Sequence, residues 1–249
     1  MASKVLIVTG GSRGIGAATC RRAAADGWDV AVNYAGNVTA AEAVATDVRA
    51  AGRRAITVQG DMANEADIDR LFATTEKQLG PIEGIVCNAG TAGTITRVEA
   101  MSTEAMRQVM DLNVLGLMIA NREAVKRLST KHGGSGGAIV NLSSIAPRLG
   151  SPNEFVHYAA SKGAVDAWTL GLGREVAGDG IRVNAVAPGM IDTDIHAAAG
   201  APDRAARYGA TVPIGRAGTP EEVAEAVVWL LSDAARYCVG TVLSVNGGR

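Results

Sequence analysis

Residues 5–16 of the chain have the sequence VLIVTGGSRGIG, in which four apolar residues lead into a loop that contains four glycines. A short apolar run of this kind is typical of a strand that is buried on both faces. Glycine has no Cβ atom, so the loop can turn sharply and the next helix can approach closely. The first turn of that helix presents N–H groups and the positive end of the helix dipole. The stretch therefore predicts a strand–loop–helix unit whose loop binds the pyrophosphate of a dinucleotide.

Short apolar runs recur along the rest of the chain and alternate with segments of helical spacing. The further runs are residues 30–32, 55–58, 82–87, 138–142, 181–186 and 241–245. Strands separated by helices favour right-handed crossovers between parallel strands. We therefore expect an α/β fold, a Rossmann-type doubly wound parallel sheet of about seven strands with helices on both faces.

Helix starts are indicated by three side-chain patterns. Residues 39–42 (TAAE) and 219–222 (TPEE) fit a capping box, and residues 64–67 (NEAD) give a weaker version. No change of composition and no repeat divides the 249 residues. Because α/β domains reach ~250 residues, residues 1–249 are predicted to form a single dinucleotide-binding domain.

The composition excludes several classes of function. With 24 basic and 25 acidic side chains, the chain lacks the basic excess that nucleic-acid binding requires. No apolar run reaches the ~18–20 residues of a membrane-spanning helix, and the N-terminus has no signal-peptide pattern. Cys20, Cys87 and Cys238 are scattered, which favours free thiols over disulfides or a metal site. We expect a cytoplasmic protein that binds a small molecule, with no metal, nucleic-acid or membrane partner.

The end of the second predicted strand bears on the choice of dinucleotide. In NAD-binding folds, an acidic residue ~20 positions beyond the glycines holds the ribose 2′-hydroxyl. Here the strand ends in Asn33 and Tyr34, and no carboxylate follows them before Glu42. Arg13 lies inside the glycine loop, and its planar charged group suits a phosphate. We predict NADP as the cofactor and leave NAD use open; the alternative for Arg13 is a solvated loop residue.

Tyr158 and Lys162 are four residues apart in a segment with helical character, so they share one helix face. An ammonium group ~4 Å from a phenol contributes ~4 kcal/mol toward the phenolate at an effective dielectric of ~20. The spacing therefore predicts a lowered pKa for Tyr158 and a role as general acid or base. Taken alone, an exposed helix pair is the more common explanation of such a spacing.

Polar and turn residues follow the predicted strands where a ligand crevice is expected. Ser143 and Ser144 end the fifth strand, residues 88–90 (NAG) end the fourth, and residues 188–193 (PGMIDT) follow the sixth. In open parallel sheets, ligands bind beyond the carboxyl ends of the strands. Each motif alone is ordinary loop chemistry, but their joint position at one sheet edge predicts a binding site.

In order and spacing, these motifs resemble the short-chain dehydrogenase/reductase family, from residue 5 to residue 248. The similarity is to the NADP-preferring carbonyl reductase branch, which includes 3-oxoacyl reductases and glucose dehydrogenases. The matching pieces are residues 9–16 (TGGSRGIG), Asp61, residues 88–90 (NAG), Asn113, Ser144, residues 158–162 (YAASK), residues 188–189 (PG) and residues 245–248 (VNGG).

The resemblance implies hydride transfer between NADP(H) and a carbonyl or secondary alcohol. It implies that Tyr158 is the general acid/base, Lys162 lowers its pKa and binds the nicotinamide ribose, and Ser144 orients the substrate oxygen. Asn113 is expected to anchor a water molecule in the proton relay. The residues expected to bind the cofactor are Gly10, Ser12, Arg13, Gly14, Ile15, Gly16, Asn33, Tyr34, Asp61, Met62, Asn88, Ala89, Gly90, Tyr158, Lys162, Pro188, Gly189, Ile191 and Thr193.

The substrate end of the site is less defined by the sequence. Residues 190–216 are expected to cover the crevice as a mobile lid. His196 in this stretch is a candidate substrate contact, with a solvated residue as the more common case. Ser144 and Tyr158 are one residue further apart than in shorter family members, and Cys87 stands where asparagine is frequent. These departures affect the expected specificity and not the expected chemistry.

Ala160, Ala164, Ala167 and Gly171 fall on the helix face opposite Tyr158. The family resemblance favours a subunit interface here, commonly in tetramers, and packing within the chain is the alternative. Other functions also stay open: a catalytically silent dinucleotide-binding sensor or scaffold, a sugar or polyol dehydrogenase that uses NAD, and an isomerase or dehydratase on the same fold.

Overall fold

A parallel sheet lies at the centre of the molecule. A computed structural model describes residues 4–249, apart from the side chain of His196. The strands in this range are β1 (Lys4–Val8), β2 (Trp28–Tyr34), β3 (Ala55–Gln59), β4 (Gly84–Cys87), β5 (Gly137–Leu142), β6 (Ile181–Pro188) and β7 (Val242–Val245). They form one sheet in the order β3-β2-β1-β4-β5-β6-β7, with every pairing parallel. The predicted α/β fold with about seven parallel strands is confirmed.

Helices cover both faces of this sheet. They are α1 (Gly14–Ala25), α2 (Val38–Ala50), α3 (Glu65–Leu79), α4 (Thr103–Met110), α5 (Leu117–Leu128), α6 (Ala146–Leu149), α7 (Val156–Val176), α8 (Ile195–Ala198), α9 (Arg204–Gly209) and α10 (Pro220–Leu231). A π-helical segment, Asp111–Gly116, joins α4 to α5. Short 3-10 turns lie at Val98–Ala100, Thr130–His132, Ala177–Asp179 and Asp233–Ala235.

β1 shows why the strands are apolar throughout. Leu6 and Val8 belong to the core that also contains side chains of α1, α2 and α10. Val5 and Ile7 belong to a second core, on the side of α3, α5 and α7. Successive side chains of a strand point to opposite faces, so every residue of an apolar strand is buried only if both faces are covered. Full burial of one such side chain contributes roughly 1.5–3 kcal/mol.

The order of the strands reverses beside β1 and creates the ligand crevice. β2 and β3 lie on one side of β1, whereas β4 to β7 lie on the other. The connections that leave β1 and β4 therefore diverge, which opens a crevice at the carboxyl ends of these strands. Val8 pairs with Val86 at that end, so the loops that follow the two strands begin side by side.

The helix starts agree with the sequence patterns in two cases of three. Thr219 and Glu222 form the predicted capping box of α10, and Asn64 caps α3. The box expected at residues 39–42 is wrong, because the capping residue of α2 lies two positions earlier in the chain. Asn37 is the capping residue there, and its Oδ1 accepts a hydrogen bond of 2.9 Å from the N–H of Ala40.

Within residues 4–249, none of the helices has both the length and the apolar character needed to cross a membrane. The same part of the chain contains no group of three His, Cys, Asp or Glu side chains placed to hold a metal ion.

Candidate active site

The glycine loop after β1 is folded tightly against the start of α1. Gly10 and Gly14 have φ angles of 59° and 52°, which side chains with a Cβ rarely adopt. At Gly16 a Cβ would lie 2.3 Å from the carbonyl oxygen of Gly10. Arg13 precedes α1 and makes no side-chain hydrogen bond to its first turn. The loop thus presents backbone groups and a helix N-terminus, an arrangement that fits a pyrophosphate.

Asn33 fixes the position of the glycine loop through hydrogen bonds to its backbone. Its Oδ1 accepts a hydrogen bond of 3.0 Å from the N–H of Gly10, and its backbone oxygen accepts one of 2.8 Å from Gly11. Its Nδ2 donates to the carbonyl of Gly60 at 3.1 Å. The side chain is 1% exposed, so it lies between the loop and the end of β3. Asn33 was predicted to contact the cofactor; the structure places its amide under the glycine loop, where it fixes the loop's position.

Thr9 and Asn88 connect the loops that follow β1 and β4. The Oγ1 of Thr9 accepts hydrogen bonds from the N–H groups of Asn88 and Ala89, at 2.9 and 3.0 Å. The Nδ2 of Asn88 donates to the carbonyls of Thr9 and Gly10, at 2.9 and 3.0 Å. These four bonds close the crevice floor where the strand order reverses.

Asn113 lies in the π-helical segment and is completely buried. Its side chain exchanges two hydrogen bonds of 2.8 Å with the backbone of Thr91 and donates one of 3.0 Å to the Oγ of Ser161. Single π-helical turns are frequent at functional sites because they aim a side chain out of the regular helix face. Here the turn directs Asn113 at the loop after β4 and at the helix that carries Tyr158.

The same segment explains the position of Asp61 and Met62. A Cβ at Gly116 would lie 1.9 Å from the carbonyl oxygen of Met62. Glycine therefore lets the π-helical segment reach the turn after β3. Met62 is buried in this contact, whereas Asp61 is exposed and its Oδ1 accepts a hydrogen bond of 2.9 Å from Ala63.

The side chains of Ser144 and Tyr158 line the same cavity, and Ser144 lowers the pKa of the Tyr158 phenol against the larger effect of burial. Ser144 follows β5, where its Oγ accepts a bond of 3.1 Å from the N–H of Ala146. Tyr158 lies in the first turn of α7. The two residues predicted to hold the substrate oxygen are 14 positions apart in the sequence, and both line one cavity.

Lys162 lies behind Tyr158 on α7. Its Nζ donates a hydrogen bond of 2.6 Å to the carbonyl of Leu142 and lies 5.8 Å from the centre of the Tyr158 ring. Burial lowers the pKa of Lys162 to about 8, against an opposing effect of Asp166. Burial also raises the pKa of Tyr158, and Ser144 opposes this. The lowered tyrosine pKa expected from the spacing is not found, because the ammonium is bound to Leu142 and loss of solvent around the phenol outweighs other effects.

Sequence reasoning missed Asp166, which lies one helical turn beyond Lys162. Its Oδ1 accepts a short hydrogen bond from the Oγ of Ser143, the neighbour of Ser144. Burial raises the pKa of Asp166, while Ser143, Arg148 and Lys162 oppose this. The i, i+4 spacing from Lys162 was the available signal, but the contact with Ser143 depends on how α7 packs on β5.

A cavity of about 190 Å³ opens beside the Ser144–Tyr158 pair. The predicted site residues that line it are Ile15, Asn88, Gly90, Ser144, Tyr158, Lys162, Pro188, Gly189, Ile191 and Thr193. Thr193 also approaches the glycine loop, since its Cγ2 would lie 3.4 Å from a Cβ at Gly14. Apolar side chains such as Leu149 and Phe155 complete the wall.

Residues 190–216 border this cavity and contain α8 and α9. Ile191 forms an isolated parallel bridge with Gly218. The guanidinium of Arg204 binds both carboxylate oxygens of Glu154, at 2.9 and 2.6 Å. Arg204 and Arg249 line the cavity, and neither was among the predicted site residues. The side chain of His196, the candidate substrate contact of this segment, is outside the described part of the chain.

Known proteins share this architecture over the full length of the chain. The family model described as Enoyl-(Acyl carrier protein) reductase matches residues 10–249. An "Uncharacterized oxidoreductase YgfF" of Escherichia coli (strain K12) is 48% identical, over 98% of this chain and 99% of the relative. A "3-oxoacyl-[acyl-carrier-protein] reductase" of Synechocystis sp. is 39% identical, over 100% and 97%. The crystal structure of a dehydrogenase/reductase from Sinorhizobium meliloti 1021 has a TM-score of 0.91 and 32% identity, covering 100% of this chain and 95% of that one.

The fold and the comparisons define a nicotinamide-dependent oxidoreductase that acts on CH–OH groups or the corresponding carbonyls. The chain belongs to the short-chain dehydrogenase/reductase family.

Proposed function

We propose that the protein interconverts a carbonyl and a secondary alcohol with NADP(H), and that Tyr158 is its general acid/base. The observation that carries this proposal is that two hydroxyl side chains, Ser144 and Tyr158, line one cavity together with Lys162. Two hydroxyls converging on one point can hold one oxygen atom of a substrate. A donor placed where negative charge develops is a major source of rate in enzymes.

Each residue of the pair has a distinct task in the reduction of a carbonyl. When bound, the nicotinamide cofactor would supply the hydride for the carbonyl carbon. Ser144 holds the carbonyl oxygen, and Tyr158 gives that oxygen its proton. Lys162, whose ammonium lies 5.8 Å from the centre of the tyrosine ring, stabilises the tyrosinate that remains. Asn113 keeps the loop after β4 and α7 in register through Thr91 and Ser161.

The preference for NADP rests on the charges near the end of β2. Arg13 is exposed beside the glycine loop, and its planar charged group suits a phosphate. Asn33 and Tyr34 are buried and bring no carboxylate to that position. The residues that we assign to the rest of the cofactor are Gly10, Ser12, Gly14, Ile15, Gly16, Asp61, Met62, Asn88, Ala89, Gly90, Pro188, Gly189, Ile191 and Thr193.

Replacement of Tyr158 by phenylalanine tests the catalytic assignment. The ring and its packing are kept, and the acid is removed. We expect kcat for carbonyl reduction to fall at least ~100-fold, the lower end of a general acid's contribution. Stopped-flow or steady-state absorbance of the reduced cofactor measures this. Tyr237, which is 100% exposed, provides the matched control: Y237F should retain wild-type kcat, and a near-normal kcat in Y158F would remove Tyr158 from the mechanism.

Separate titrations with NADPH and NADH test the cofactor assignment. Fluorescence of the reduced nicotinamide reports binding. We expect NADPH to bind at least ~10-fold more tightly, a difference of about 1.4 kcal/mol, and R13Q to reduce this preference. Arg236, an exposed arginine at the opposite end of the sheet, supplies the control R236Q. Equal affinity for both cofactors in the wild-type protein contradicts the assignment.

We propose further that the protein is a cytoplasmic homotetramer in which residues 190–216 act as a lid. Ala160, Ala167 and Gly171 form an exposed face of small residues on α7, which permits close approach of a second helix. The cysteines of the described residues are free, as in a reducing compartment. Light scattering of the full chain tests the tetramer, and a monomeric mass at micromolar concentration contradicts it.

A further inference from the structure

The charged side chains that line the cavity all have the same sign. Lys162 lies on one wall, and Arg204 and Arg249 line another part. Within the described residues, no Asp or Glu side chain lines the cavity. The protein as a whole has almost equal numbers of acidic and basic groups. The uniform positive charge therefore belongs to the cavity and not to the composition.

Arg204 is not available for a ligand. Its guanidinium forms the two-pronged pair with Glu154 and lies 5.2 Å from the centre of the Phe155 ring. Its side chain is 13% exposed. Arg204 thus positions the wall of the cavity, and its charge is balanced by the carboxylate.

Arg249 has no such balance. Its guanidinium lies 6.0 Å from the centre of the Tyr208 ring, and Arg204 and Arg207 contact the same ring at 4.9 and 5.0 Å. Among the described residues, no carboxylate lies within 4.0 Å of its charged nitrogens. One carboxylate, Glu154, faces three guanidinium groups, and its pKa is lowered by Arg204 first and also by Arg207 and Arg249. Neither Arg207 nor Arg249 makes an ion pair within the described residues, and of these two Arg249 lines the cavity and Arg207 does not.

We propose that Arg249 binds an anionic group of the substrate, so that the protein acts on small oxo or hydroxy carboxylic acids. This inference rests on the proposed function, since it assumes that the reacting oxygen lies at Ser144 and Tyr158. The substrate carboxylate then pairs with Arg249, and the carbon chain between them lies along the apolar wall of Leu149 and Phe155.

The chemistry of the groups supports a carboxylate at this position. A guanidinium offers planar N–H donors that match the two oxygens of a carboxylate. Hydrogen bonds between a guanidinium and a carboxylate are roughly twice as strong as those between neutral groups. Arg249 is exposed, and its guanidinium lies 6.0 Å from the centre of the Tyr208 ring.

Matched pairs of substrates provide the test. The full chain is assayed with oxo acids of five or six carbons (4-oxopentanoate and 5-oxohexanoate) and with their methyl esters, in both NADPH and NADH. Wild-type kcat/KM should favour the acids at least ~10-fold, mainly through KM, which corresponds to about 1.4 kcal/mol. In R249Q this acid-to-ester ratio should fall at least ~10-fold, and R249K should restore part of it.

Arg207 supplies the matched control, because it is exposed, contacts the same Tyr208 ring and does not line the cavity. R207Q removes the same charge, so its acid-to-ester ratio should stay within about twofold of wild type. Calorimetric titration of the acids into the protein with oxidised cofactor gives a second readout that needs no turnover.

The outcomes separate the inference from the function on which it rests. If the esters are reduced and the acids are not preferred, or if R249Q and R207Q have equal effects, the role of Arg249 is wrong and the reductase assignment stands. Loss of preference in R249Q alone supports the role. If the acids neither bind by calorimetry nor react, the inference is wrong, and a failure of every carbonyl with both cofactors contradicts the proposed function as well.

Discussion

The glycine-loop end of the crevice and the 190–216 segment that borders its other end are held by different kinds of interaction. The glycine loop is tied to two neighbouring strands through Asn33, Thr9 and Asn88, with partly buried hydrogen bonds between side chains and backbone groups. The helix α9 is attached through the ion pair of Arg204 with Glu154 and through arginine–aromatic contacts.

In the proposed function, the glycine-loop end of the crevice binds the cofactor, and the 190–216 segment selects the substrate. Several hydrogen bonds between side chains and the backbone leave the glycine loop little freedom, so we expect it to be fixed before any ligand arrives. A segment held by a few side chains can open and close, and its residues can change without disturbing the sheet. The predictions below test whether the two ends respond as differently as their contacts indicate.

The largest effect is expected at Gly16. In G16A the added Cβ would lie 2.3 Å from the carbonyl oxygen of Gly10, so the loop has to move. We expect the free energy of unfolding to fall by about 1–3 kcal/mol, as in other overpacked sites. The cofactor dissociation constant should rise at least ~10-fold. Thermal or urea unfolding and cofactor fluorescence measure the two effects.

Gly178 offers a control for this substitution. A Cβ there would meet no atom within 4 Å, so G178A should leave both quantities near their wild-type values. Equal changes in the two variants would mean that the loop is less tightly packed than the contacts of Gly16 indicate.

A smaller and more local effect is expected at Arg204. R204Q removes the two-pronged ion pair with Glu154. The pair is partly exposed, so its contribution is discounted for solvent to about 1 kcal/mol. Amide hydrogen exchange in residues 195–210 should accelerate about fivefold, while exchange in β1 stays unchanged. Equal exchange in R204Q and in R207Q would show that this pair does not hold the segment.

The same pair predicts a dependence on pH. Arg204 holds the pKa of Glu154 below its ordinary value, so the stabilisation is present above the ordinary glutamate pKa of about 4.3. It is lost as the pH falls through the lowered pKa. Protection of residues 195–210 should therefore decrease in acid in the wild-type protein and show no such change in R204Q.

The smallest effect is expected from D166N. Asp166 raises the pKa of Lys162 against the effect of burial, which brings it to about 8. Removal of this charge lowers the lysine pKa, so Lys162 loses its proton at a lower pH. The alkaline limb of kcat/KM for carbonyl reduction should shift down by less than about one pH unit. An unchanged pH profile would exclude Asp166 from any influence on the site, and D69N, on an exposed face of α3, is the control.

The sequence was sufficient to predict the alternation of strands and helices along the chain and the position of the glycine loop. Strand–helix alternation and apolar runs depend on local spacing, and both are confirmed by the seven parallel strands. The joint occurrence of Ser144, Tyr158 and Lys162 near one cavity also follows from their positions at strand and helix ends. Local spacing was misleading at Thr39, because Asn37 competes for the same helix start.

Three features were decided only by the tertiary structure. Asn33 binds the glycine loop because β2 places it under Gly10. Lys162 bonds to Leu142 instead of the phenol because α7 packs against the end of β5. Arg249 reaches the cavity although it stands 87 positions from Lys162 in the sequence. Spacing along one element reports neighbours within that element, whereas burial and charge balance are set by side chains that come from other elements and meet only in the folded chain.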